Sequence, residues 1–289
     1  MMLSQLRHPL VKDLAWLVEG HYIERDFDLA PYWVADVNAC LVALDDNPEL
    51  LLQAFAACKS HFLGSYFETL FSFAIVHLSH LKMHREHFQI ESKGKTLGEV
   101  DMLVETPDGQ LHQFEIAIKF YLERPDLFPH DWIGPNKNDS LLKKVTRARE
   151  HQLGILQTEE GYAAIDALAN GREVETNLLI FGRLYCALKN AADVRSWLAG
   201  EACGGWIRVS DLALLKADFS YFQLLDKPHW LAAPDINANF SFFSLQSAYN
   251  PVGLFLRDDR PKHAFFWQVT DQTKNVIQSR CVFIVADSW

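Results

Sequence analysis

The chain is short of several things, and each scarcity removes a class of protein. None of its stretches approaches about 20 consecutive apolar residues, so no membrane span is predicted. Lys12, Asp13 and Glu19 interrupt every early apolar run, which predicts no secretory leader. Cysteine is sparse: Cys40, Cys58, Cys186, Cys203 and Cys281 are odd in number and widely spaced, with no CxxC pair. That pattern predicts reduced, mostly buried thiols in a cytoplasmic protein, without a zinc ribbon or a disulfide framework. Positive charge is in deficit, since 27 Lys and Arg stand against 37 Asp and Glu for a net charge of −10. Neutralising phosphates drives nucleic-acid binding, so this balance excludes a generally basic surface and leaves only a local channel of cations. The twelve histidines contain no HExxH spacing. A phosphate-cradling Gly-rich loop and a Gly-x-Ser-x-Gly elbow are also missing.

What remains is globular. Hydrophobic residues make up 49% and charged residues 22% of 289 positions, enough for one large domain or two smaller ones. The chain is organised around residues 97–121, LGEVDMLVETPDGQLHQFEIAIKFY. Both flanks alternate with the period of a half-buried strand. Val100, Met102 and Val104 share one face of the first, with Glu99 and Asp101 on the other. Phe114, Ile116, Ile118 and Phe120 share one face of the second, opposite Glu115, Ala117 and Lys119. Pro107, Asp108 and Gly109 suit a three-residue hairpin loop. Thr106 then faces Gln110, and Asp101 falls opposite Glu115; a two-residue loop would mix the faces. Opposed residues have Cβ atoms roughly 4.5–5.5 Å apart, where like charges repel. The two acids therefore need a shared proton, a basic neighbour or a cation such as Mg²⁺ between them.

Around the hairpin, helical spacing predicts helices over residues 9–19, from Asn47 and Pro48 onward, and over 62–81. The last carries the stripe Leu63, Phe67, Leu70, Ala74, Leu78 and Leu81, with Glu68 on its flank. A strand is predicted around residues 86–91, before a Lys93-Gly94-Lys95 turn. After the hairpin, Asp139 is a candidate cap for a helix from Ser140 to about Leu156, with Gln152 on its inward stripe. Residues 175–185 read as a further strand. WIRVSDL, HAFFWQV and CVFIVAD read as strands, and DVRSWLA as a short helix. The aromatics Trp206, Trp230, Phe265, Phe266 and Trp267 read as core.

Asp101, followed across a hairpin by Glu115 and then Lys119, resembles the active-site motif of the PD-(D/E)XK nuclease superfamily. The wider pattern of GEVD, EIAIKFYL, IGPN and EHQL resembles the bacterial domain-of-unknown-function family 1853, placed in that superfamily, over most of the chain. The resemblance implies an α/β fold with a restriction-endonuclease-like αβββαβ core over residues 61–189. An N-terminal helical layer over 1–60 and a mixed C-terminal extension over 190–289 would flank it, or all three would form one continuous domain. It implies Asp101 and Glu115 as ligands of Mg²⁺ (or Mn²⁺), and Glu68 as a further acid near the metal; the plain reading of Glu68 is a flank residue reaching solvent or a lysine. Lys119 would be the catalytic amine, supported by Glu99 and Gln152. The spacing departs from the motif, because Ala117 occupies the usual lysine position. Four strand residues span roughly 13 Å, so Lys119 must lean back, be brought closer by a bulge, or instead pair with Glu99.

Lys137, Lys143, Lys144, Arg147 and Arg149 form the densest basic cluster. With Trp132 and Phe128 they suit a wall that holds phosphates and stacks a base, or else a solvated helix face. The expected function is a metal-dependent phosphodiesterase acting on nucleic acid, DNA ahead of RNA. The alternative, favoured by the displaced lysine and the net charge, is an inactive nuclease fold kept for binding or scaffolding.

Overall fold

The structure, a computed structural model, describes residues 5–56, 58, 62–200, 203–234, 243–245, 258–269 and 276–289. The chain begins with α1 (Pro9–Val18), β1 (Tyr22–Arg25), α2 (Val37–Asp46), α3 (Glu49–Ala56) and α4 (Leu63–Leu78). Next come β2 (Lys82–Ser92), β3 (Lys95–Glu105), β4 (Leu111–Glu123), β5 (Trp132–Ile133), α5 (Leu141–Arg147) and α6 (Glu159–Ala169). Then follow β6 (Val174–Ala187), α7 (Ala191–Ala199), β7 (Gly204–Arg208), β8 (Tyr221–Leu224), β9 (Phe243–Ser244), β10 (Lys262–Val269) and β11 (Val276–Val285). Residues 57 and 59, at the end of the predicted second helix, and parts of the predicted C-terminal extension lie outside the described residues.

The fold is mixed α/β, and most strand neighbours are antiparallel; among the described pairings, only those of β7 with β6 and β11 are parallel. The chain divides into two compact units, Met1–Lys119 with Lys143–Gly182 and Phe120–Leu142 with Arg183–Trp289. Strands β4 and β6 each contribute residues to both.

In the first unit the strand order is β2-β3-β4-β6, with β1 beside β6. The loop residues set the register as their chemistry predicts. Gly109 takes φ +88°, and Thr106 N donates to Gln110 O at 3.0 Å. The ladder then runs from Glu105↔Leu111 to Met102↔Phe114. β3 keeps the expected alternation at Glu99–Met102, with Val100 and Met102 buried and Glu99 exposed, but the expectation fails for β4, which is not half-buried. β4 lies between β3 and β6, and His112, Gln113 and Glu115 are as buried as Phe114 and Ile116. Helices cover both faces. On one, Phe67 and Phe71 of α4 meet Phe114 and Phe181. On the other, Leu103 and Leu111 pack with Ile155, Leu156 and Ile165.

The predicted helix from Ser140 to Leu156 is broken. α5 ends at Arg147, a wide π-turn runs through Ala148–Gln152, and a 3-10 turn follows at Ile155–Gln157. Thr158 then caps α6 by accepting from Gly161 N, an N-terminal signal the sequence reading passed over. α2 was likewise not foreseen. At Gly182, φ is +142° and an added Cβ would sit 1.6 Å from Lys119 O, so β6 passes β4 there only because the residue is glycine.

In the second unit β7 and β11 run parallel, β10 joins β11 antiparallel, and β8 and β9 follow. The predicted core aromatics Trp206, Trp230, Phe265, Phe266 and Trp267 are buried. The expectation of five reduced thiols is corrected, because Cys186 and Cys203 form a disulfide. The pairing Cys186↔Gly205 brings the end of β6 alongside the start of β7, which seats the two cysteines together. No helix among the described residues is long and apolar enough to cross a membrane.

Candidate active site

The two hairpin acids converge. The β3–β4 ladder stops at Met102↔Phe114, and at the next step Asp101 uses its side chain: Ile116 N donates to Asp101 Oδ2 at 2.9 Å. The carboxylate thus takes a backbone hydrogen that a regular ladder would give to a carbonyl. This turns Asp101 toward β4, where its carboxyl and that of Glu115 act on each other's protonation.

Burial dominates the electrostatics. Removal from water pushes the Glu115 carboxyl up to about 7; Asp101 pushes it the same way, and Lys144 opposes both. Asp101 is also raised by burial, against the pull of the Ile116 amide and of Lys144. Between the two acids the influence is mutual, raising Glu115 and lowering Asp101, so the two carboxyls titrate as a pair. Near neutral pH the pair therefore holds one proton between two acids.

The basic neighbour is Lys144. Its Nζ donates to Glu115 Oε1 at 2.8 Å and to Gln152 Oε1 at 3.4 Å, with 15% of the lysine side chain and 3% of the glutamate side chain exposed. Lys144 was expected on a nucleic-acid-binding wall, and α5 instead turns it into the site. A signal was available: residues 141, 144, 145 and 148 follow the i, i+3, i+4, i+7 rule of an inward stripe. Gln152, the supporting residue expected from the same stripe, is brought to the lysine. Lys119 is half-buried on β4, and the strongest cationic influences on Asp101, Glu115 and Glu68 come from Lys144 and His87 instead.

His87 had no sequence signal. It lies on β2 between Glu86, paired with Met102, and Phe88, paired with Val100, so it faces the Asp101 position. Its φ is +46°, an unusual value for a residue within a strand and one that histidine tolerates better than most. His87 Nδ1 lies 3.4 Å from Glu99 Oε1. His87, Glu99 and Asp101 each offer a ligand atom within 4.8 Å of the other two. Glu99 pairs with Gln89 of β2, so its side chain meets β2 chemistry. Glu68, half-buried on α4, belongs to the same field. Burial raises its carboxyl, His87 lowers it, and Asp101 and Glu99 raise it again.

The remaining predicted contacts are dispersed. Lys143 and Arg147 are exposed on α5. Lys137 and Trp132 belong to the second unit, where the Lys137 amine lies 5.2 Å from the Trp289 ring centre and Trp132 pairs with Glu123. Arg149 is held by Glu24 and Asp26.

Over residues 10–285 the sequence matches a family described as a domain of unknown function, DUF1853. No curated protein and no solved structure matches it.

Proposed function

The chain belongs to the DUF1853 family, and from that premise we propose that it is a metal-dependent phosphodiesterase of the PD-(D/E)XK type, acting on nucleic acid and on DNA ahead of RNA. The observation that carries this reading is the buried group of Asp101, Glu115 and Lys144. The element order α4-β2-β3-β4-α5-β6, interrupted by β5 and α6, supports a restriction-endonuclease-like core.

The residues fit Mg²⁺ or Mn²⁺ by their donor set. Asp101, Glu99 and His87 supply two carboxylates and one imidazole, a mixture suited to Mn²⁺ at least as well as Mg²⁺. Glu115 bonds Lys144, so it borders the ion's place, and Glu68 adds negative potential. When bound, the ion supplies Lewis acidity to the phosphoryl group and its leaving oxygen. Glu115, poised near 7, is placed to take the proton of the attacking water as the P–O bond forms. Lys144 holds that carboxylate in position and offers positive charge to the phosphoryl oxygens as they become more negative. Lys143 and Arg147, exposed on the same helix, are proposed phosphate contacts; Trp132 and Lys137 belong to the second unit and are not assigned to this site.

Cleavage of single- and double-stranded DNA and of RNA, assayed with Mg²⁺ and with Mn²⁺, tests this. Asp101→Asn, Glu115→Gln and Lys144→Met should each lower kcat by roughly 10²-fold or more. Lys119→Met should stay within about tenfold of wild type, because Lys144 already supplies the amine. Activity that survives both Asp101→Asn and Glu115→Gln overturns the assignment.

A second reading, an inactive nuclease fold kept for binding, draws on the net charge of −10 and on acids already balanced by Lys144 and a proton. Under it, calorimetry with Mg²⁺ or Mn²⁺ shows no heat that depends on Asp101.

A further inference from the structure

Two residues before Glu115, on the same face of β4, Gln113 is 1% exposed. A buried amide at that position is costly unless its groups are used. Its Nε2 donates to the backbone carbonyl of Gln152 at 3.1 Å, and among the described residues its Oε1 has no hydrogen-bond partner. The acceptor matters. Gln152 ends the π-turn, where helix carbonyls lose their usual amide partners.

That turn decides where the Gln152 side chain goes. In a regular α-helix the residue seven positions after Lys144 returns to its side, whereas the eighth lies about 80° further round. The wide turn Ala148–Gln152, closed by Leu153 N donating to Ala148 O at 2.9 Å, takes up one extra residue. Gln152, eight positions on, then occupies the place of the seventh and its Oε1 reaches Lys144 Nζ.

We propose that Gln113 is a positioning residue: by holding the Gln152 carbonyl it locks the π-turn, and through the Gln152 side chain it sets the Lys144 amine on Glu115. β4 thereby grips the helix end at two points, an amide on a backbone oxygen and, two residues on, a carboxylate on an amine. The proposal rests on reading Lys144 as the amine of the site.

Its test needs no substrate, so it remains decisive even if the chain cuts no nucleic acid. Wild type and variants are treated with an amine-acylating reagent, and labelling of Lys144 is read by mass spectrometry relative to exposed Lys93. Gln113→Met should raise that ratio at least about fivefold, Gln152→Ala should do the same, and the double variant should not exceed Gln152→Ala alone, since both act on one path. An unchanged ratio in Gln113→Met, or effects that multiply, overturns the proposal. Where nuclease activity is measurable, Gln113→Met lowers kcat and leaves KM unchanged; a raised KM alone counts against it. Should Gln113→Met fail to fold, hydrogen exchange of wild type decides. The Leu153 amide should exchange as slowly as the β4 core, and fast local exchange there overturns the lock.

Discussion

Replacing Glu115 by glutamine should change how stability depends on pH, in a direction opposite to that of most carboxylates. Burial, with Asp101 beside it, raises the Glu115 carboxyl from 4.5 to about 7 in the folded chain. The folded state therefore holds this proton more tightly than the unfolded chain does. The resulting stability is present in full below pH 4.5 and is lost as pH rises through 7. Its size follows from the displacement, roughly 3 kcal/mol, most of it gained between about pH 8 and pH 5. Glu115→Gln keeps the shape of the protonated acid and cannot ionise, so it should lack this gain. Burial depresses His112, which works the other way and costs stability as pH falls below 6.5. That effect is common to both proteins and cancels in their difference. Hydrogen-exchange protection of the β3 and β4 amides confines the measurement to this hairpin. Relative to Glu115→Gln, wild type should gain about two orders of magnitude in protection from pH 8 to pH 4.5. Parallel pH curves for the two proteins would refute the account of a buried, proton-sharing pair.

Three further outcomes follow from the same geometry. Binding of Mg²⁺ or Mn²⁺ near neutral pH should expel the proton shared by Asp101 and Glu115, so calorimetric enthalpies should differ between buffers of different ionisation heat. Buffer-independent heats near pH 7 would mean that the ion goes elsewhere. Gly182→Ala should destabilise the protein by about 3 kcal/mol or prevent folding, because its Cβ meets the Lys119 carbonyl; thermal melting measures it, and an unchanged Tm contradicts the close approach. Reducing the Cys186–Cys203 bridge, which joins residues 17 positions apart, should lower the stability of the second unit by about 3 kcal/mol. Exchange of the β7 and β11 amides with and without dithiothreitol reads this, and equal protection would count against the bridge.

Residues 97–121 by themselves determined the hairpin, its register and the meeting of Asp101 with Glu115, because loop chemistry and strand alternation act over a few neighbours. The stripe on α4 was legible for the same local reason at Phe67, Leu70, Ala74 and Leu78, although α4 ends before Leu81 and also buries Phe71, Phe73 and Ile75. Tertiary structure decided what neutralises the acids. Lys144 reaches Glu115 from 29 positions along the chain, and only the packing of α5 on β4 chooses it over Lys119, which stands four residues from Glu115 on the same strand. His87 enters through a left-handed backbone inside β2, a conformation no alternation pattern records. The Cys186–Cys203 bridge likewise needed the parallel pairing of β6 with β7, since separation along the chain says nothing of which thiols a sheet will bring together.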